Sequence, residues 1–290
     1  MSSEPFAGLA RAMVRRVLRS TGARVACTVL ALFVVAAIAA PLVAPYDPTV
    51  HPDPVLLKNL PPSAAHPFGT DPFSRDVLSR VIFGARVSLG VAAASVLIAV
   101  SLGTALGAVA GLAGGWVDAV CMRAVDAVLS VPRLLLLIAL VASTGPLPVG
   151  GIILLLGLTG WPATSRIVRA EVRALRERDF VVAARAMGVS RHRILSRHLL
   201  PAVAPQVLVA ATVAFASVIP LEAGLSFLGL GVRPPTPSWG SIILDGADRP
   251  AQLWWLVLFP GMAIVGVVFA VNAIGERLRE AVDPRQEASR

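Results

Sequence analysis

Six apolar runs, each close to the length that crosses a bilayer, leave this chain little choice of fold. They cover about Val25–Val43, Val87–Leu112, a run ending near Ser143, Val149–Val168, Pro205–Phe227 and Leu253–Ile274. About 20 apolar residues in a helix cross a hydrocarbon core of roughly 30 Å. Lipid offers no hydrogen bonds, so each run must satisfy its own backbone as a helix. Apolar residues make up 56% of the chain and charged ones 15%. A soluble domain of that balance would expose large apolar patches. The expectation is an all-α membrane protein with six transmembrane helices.

Charge then orients the runs. The net charge is +9, almost all of it arginine, since Lys58 is the only lysine. Arg11, Arg15, Arg16, Arg19 and Arg24 precede the first run, which predicts a cytoplasmic N-terminus over 1–24. A cleaved signal peptide competes, because Ala37–Ala40 resembles a cleavage site. The run is long enough to span and Pro41 would hinder cleavage, so an uncleaved anchor over 25–43 is the better reading. Nine arginines lie between Arg166 and Arg197 against Glu171, Glu177 and Asp179, which marks a second cytoplasmic segment. Arg277, Arg279, Arg285 and Arg290 place the 276–290 tail on the same side. Cys27 and Cys121 both fall at expected cytoplasmic span ends, so no disulfide is expected. No stacking aromatics interleave the basic residues, so nucleic acid is not an expected partner.

The most distinctive segment is Val182 to Pro201, VAARAMGVSRHRILSRHLLP. Before Gly188 the residues suit a helix, and Phe180, Ala183, Ala184 and Met187 share one face at i, i+3, i+4, i+7. Gly188 can take the left-handed conformation that ends a helix. Ser190 can cap a second helix carrying Arg191, Arg193 and Arg197, and Pro201 is expected to close it. The spacing thus predicts an exposed, positive helix–glycine–helix elbow over 170–201, with two alanines that let another surface approach closely. An amphipathic helix lying on the membrane is the plainer alternative.

Other segments carry weaker signals. The 44–86 stretch is polar and proline-rich until Ser74, where an amphipathic interfacial helix is expected to lead into the second span and the five-helix core over 87–275. Gly103, Gly107 and Gly111 form a small-residue ridge for close helix packing. Gly114-Gly115-Trp116 should turn the chain, and the third span starts between Val120 and Ser130. Arg123 and Asp126 stand one turn apart and can pair. Arg133 lies inside the apolar run; it either snorkels to the interface, the favoured reading, or faces a wet cavity. Trp161-Pro162 should kink the fourth span. Glu222 falls about 17 residues into the fifth span, near its outer face, where it can line the pore mouth or hydrogen-bond a neighbouring loop. Trp254 and Trp255 read as interfacial anchors of the sixth span.

The elbow resembles the cytoplasmic "EAA" loop of ABC importer permeases. Ala183, Ala184, Gly188, Leu200 and Pro201 match that pattern, while Val182 stands where Glu is usual and His198 where Ile is. His66–Leu89, Trp116–Pro132 and Glu222–Gly240 resemble further segments of the C-type permease of dipeptide, oligopeptide and nickel importers. The resemblance implies a type I ABC importer permease fold, with a coupling helix in the elbow. It implies three kinds of partner besides the lipid bilayer and solute: a homologous B-type permease, two cytoplasmic ATPase subunits and an extracytoplasmic binding protein. It implies a bacterial plasma membrane location and transport of peptides or nickel.

The chain holds no signature of its own chemistry. A P-loop needs glycines ahead of its lysine, and Lys58 is preceded by DPVLL. His51, His66, His192 and His198 lack metal-site spacing, and no Gly-x-Ser-x-Gly elbow is present. No catalytic, cofactor-binding or metal residue is therefore expected, and ATP hydrolysis is left to partners. An autonomous secondary transporter or channel is the rival class. It would favour ionisable residues at the midplane, whereas Glu222 and Asp126 are expected near span ends.

Overall fold

The computed structural model describes residues 20–53 and 55–282. The expectations resting on Arg11, Arg15, Arg16, Arg19, Arg285 and Arg290 lie outside them. The described chain is almost wholly helical. Helix α1 spans Thr21–Ile38 and is followed by the single turn α2, Ala40–Val43. Pro41 sits in the first turn of α2; its ring would clash with the carbonyl four residues back, so the expected single run over 25–43 breaks at Ala39.

Helix α3 runs unbroken over Val77–Ala113, 37 residues and so roughly 55 Å long. It is longer than a bilayer core is thick. The expected interfacial helix runs into the second span without a break, so one helix crosses residue 86. Asp76 caps it, accepting from the Ser79 N–H at 2.8 Å. Gly114, at φ 67°, ends it and starts α4, Gly115–Leu129.

Helices α4 and α5, Arg133–Thr144, meet at an angle of 81°. Pro132 has no N–H and pushes Val131 away from helical geometry, so the third span is broken rather than continuous. Helix α6 covers Val149–Leu175 and continues through Pro162. The elbow follows as α7, Asp179–Ala186, and α8, Arg191–Ile194. A π turn, Leu195–Leu199, joins α8 to α9, Leu200–Phe227. After a loop containing α10, Trp239–Asp245, the long α11 runs over Trp254–Val282.

Among the described residues, five helices are long and apolar enough to cross a membrane, or six when the bent α4–α5 pair counts as one span. The most extensive contact is between α3 and α6. Glycine makes it possible. A β-carbon on Gly103 would lie 2.7 Å from Thr164 Cβ, and one on Gly111 would lie 2.9 Å from the Arg169 carbonyl oxygen. One on Gly107 would run into the Ser165 carbonyl. The two backbones are therefore almost in contact along three turns. The main core joins α3, α6, α9, α10 and α11 through Val91, Leu156, Ile219, Leu225, Trp239 and Leu256.

Candidate functional site

Helix α7 ends in a Schellman motif. Val189 donates to the Ala184 carbonyl at 3.1 Å and Gly188 to that of Arg185 at 2.9 Å. Gly188 has φ 79°, the left-handed value this motif needs. Ser190 stands at the N-cap of α8, but its side chain makes no capping bond; only its carbonyl accepts, from Ile194 at 3.0 Å. Pro201 does not close α8. It sits in the first turn of α9, directly after the π turn, whose wider ring accommodates a missing N–H and lets α8 run on into α9.

The four elbow residues expected on one face divide. Phe180 is 47% exposed and Met187 76%, and Ala183 is exposed beside them. Ala184 is 7% exposed and faces inward. It joins Val181, Ile194, Leu199 and Val203 in a cluster with Ala108 of α3 and Val168 and Val172 of α6. Leu200 packs at the edge of that cluster. The elbow is thus seated on the bundle by its inner face and offers Phe180, Ala183 and Met187 outward.

Ion pairs tie the same end of the bundle together. Arg169 of α6 donates to both carboxylate oxygens of Asp118 on α4, Nη2 to Oδ2 at 2.5 Å. Arg176 gives Nη1 to the Gly111 carbonyl at 3.2 Å. Asp126 pairs with Arg166 at 2.5 Å, not with Arg123 as the one-turn spacing suggests. The lateral neighbour wins because α6 lies alongside α4.

At the opposite end, a buried cluster joins parts of the chain far apart in sequence. Arg75 holds Asp71 at 2.6 Å and Asp245 at 2.9 Å, and Arg80 reaches the same two carboxylates. The Trp255 indole N–H donates to the Thr70 carbonyl at 3.0 Å. These contacts fix the 60–76 segment on α10 and α11. None of these four residues is assigned a role by the sequence alone. The four-residue spacing of Asp71 and Arg75 was a faint sign of pairing.

Glu222 is fully buried, so the pore-mouth placement is corrected. It accepts from Ser226 Oγ at 2.7 Å and Ser88 Oγ at 3.0 Å. Ser88 in turn accepts from the Trp239 N–H at 3.3 Å, and Ser226 from the Val232 N–H at 3.1 Å. One carboxylate thereby joins α3, α9 and the loop leading into α10. Arg133 also departs from expectation. It does not snorkel outward: Nη2 donates to the Leu156 carbonyl, two turns into α6, at 2.7 Å. It lines a cavity between α5, α6, α9 and α11.

Several apolar crossings, a polar cavity among them and a basic elbow at one end define a multi-pass membrane permease. Residues 103–288 match the family of the binding-protein-dependent transport system inner membrane component, and residues 8–62 match the N-terminal TM domain of oligopeptide transport permease C. The chain belongs to the first of these families, the permeases of ABC importers, and has their type I fold. A peptide transport system permease protein of Brucella suis is 41% identical over 274 residues, covering 93% of this chain and 90% of its own. A dipeptide transport system permease protein of Alkalihalophilus pseudofirmus is 41% identical over 227 residues, covering 78% and 74%.

Proposed function

We propose that this chain is one of two permease subunits of an ATP-driven importer of small peptides in a bacterial plasma membrane. The observation that carries the reading is the elbow. It is a basic helix pair, closed by Gly188 and seated on the bundle through Ala184, with Phe180, Ala183 and Met187 turned outward. A helix presented this way fits a groove on another protein. Two cytoplasmic ATPase subunits are the partners proposed for it, and their closure would displace it. The π-linked α8–α9 helix and the α3–α6 glycine contact would pass that displacement to the spans. The N- and C-termini share the elbow's side. A homologous B-type permease completes the pathway, and an extracytoplasmic binding protein delivers the solute. Catalysis resides in the ATPases and not in this chain. Peptides are favoured over nickel because the similar proteins carry peptide and dipeptide names.

The test is reconstitution of the chain with a B-type permease, the ATPases and the binding protein in liposomes. ATP-dependent uptake of a labelled dipeptide or oligopeptide is expected, with none when the ATPases are omitted. Uptake without them would instead favour an autonomous transporter.

A further inference from the structure

The cavity between α5, α6, α9 and α11 has a volume of about 980 Å³, at the upper end of the roughly 300–1,000 Å³ of small-molecule sites. Its walls are half small apolar residues and half polar ones, among them Arg133, Gln206, Asn272, Glu171, Glu276 and Arg279. Arg133 is the unusual one. It begins α5 directly after the break in the third span, the kind of discontinuous helix that transporters place at their binding sites. Its bond to Leu156 sets it about 10 Å along α6, within the apolar part of the bundle. A cation at such depth is costly and normally paired.

Yet among the described residues no carboxylate pairs with Arg133. Among the described residues the Leu156 carbonyl is its one hydrogen-bond partner, and Nε is buried with none. The same cavity holds a second orphan of opposite kind: Gln206 Oε1 is buried with no donor. One site therefore lacks an anion and an N–H. A guanidinium fork matches a carboxylate in two-point geometry. A short peptide carries a carboxylate and N–H groups in one molecule; an inorganic anion or a metal ion does not.

We propose that Arg133 receives the C-terminal carboxylate of the peptide in transit while Gln206 accepts from one of its N–H groups, making this cavity a point of substrate selection inside the permease. The proposal rests on the peptide-importer reading and deepens it. Selection at this point is separate from selection by the binding protein, because it acts after release.

The experiment uses the complete transporter in liposomes with the binding protein saturated. Two peptides of one sequence are compared, one with a free C-terminal carboxylate and one amidated, their loading on the binding protein being measured separately. Wild type is expected to take up the free acid about tenfold faster, the factor one charged hydrogen bond supplies. Arg133→Gln is expected to slow the acid about tenfold and the amide less than about twofold, abolishing the preference. Arg133→Lys keeps the charge but loses the fork and should reduce the preference severalfold. Gln206→Leu should slow both peptides alike and keep the preference. Equal slowing of both peptides by Arg133→Gln, or no slowing of either, overturns the proposal; equal slowing would mean the cation faces a carboxylate of the partner permease. Should Arg133→Gln fail to assemble, an unaltered preference in Arg133→Lys overturns it. A wild-type complex that moves neither peptide removes the peptide reading and this proposal together, whereas equal uptake of both removes only the role of Arg133.

Discussion

Arg169 grips Asp118 through both carboxylate oxygens, tying α6 to α4 on the side of the bundle that carries the elbow. The pair is only partly exposed, with 26% of the Arg169 side chain and 15% of Asp118 accessible, so water screens it incompletely. Removing either partner should cost about 1–3 kcal/mol, since the other is left half-buried and alone. A double-mutant cycle on Arg169→Ala and Asp118→Ala, read as thermal stability of the purified complex, should give a double variant clearly more stable than the sum of the single losses. Strict additivity would mean the pair is incidental.

Gly107→Leu should weaken the α3–α6 contact or prevent it. Any side chain there runs into the Ser165 carbonyl, which cannot withdraw because α6 carries it. Overpacking of this kind costs about 1–3 kcal/mol or more. Recovery of the complex in detergent should fall sharply. Undiminished recovery with normal uptake would show that the helices can separate at this point without loss.

Neighbouring alanines should behave differently. Ala183 is exposed, so Ala183→Asp should leave the subunit stable while the ATPases no longer co-purify. Ala184 is buried against Val172 and Ile194 in one cluster, so Ala184→Asp places an unpaired charge under the elbow and should destabilise the subunit itself. Gly188→Val should cost about 1–2 kcal/mol at φ 79° and misdirect α8. Identical behaviour of the two alanine variants would contradict the two-faced elbow.

Much of this was legible in the sequence, because bilayer-length apolar runs and a glycine between two helical patterns are local signals. The facing of the elbow was not. Phe180 to Ala184 are five consecutive apolar residues, so no polar contrast says which side is inward. The continuity through Pro201 depends on a π turn, which has no pattern of its own. The Asp71–Arg75–Arg80–Asp245 cluster was hidden for another reason: Asp245 lies some 170 residues away in sequence, and only packing brings it in.

Glu222→Leu should destabilise the subunit by about 1–3 kcal/mol, since Ser88 and Ser226 lose a buried acceptor. Glu222→Gln retains a carbonyl acceptor and should lose less. The readout is thermal aggregation of detergent-purified protein. Equal losses would mean that the negative charge, rather than the hydrogen bonds, holds the site.

Lys58 and Arg191 are both exposed and are expected on opposite faces of the membrane. In a background lacking Cys27 and Cys121, Lys58→Cys should react with an impermeant thiol reagent added outside intact cells. Arg191→Cys should react only after the membrane is opened. Labelling of both from one side would refute the six-crossing topology.

Because no loop interrupts the chain between Arg191 and Phe227, α8 and α9 form a single shaft with the elbow as its crank. A push on a loop is absorbed; a push on a crank becomes rotation. The π turn at Leu195–Leu199 holds the shaft's one irregular ring. Converting it to α-helix would shift the register by one residue, turning everything beyond it by roughly 100°. A turn of that size would swing the present stripe of α9, Gln206 included, away from the cavity.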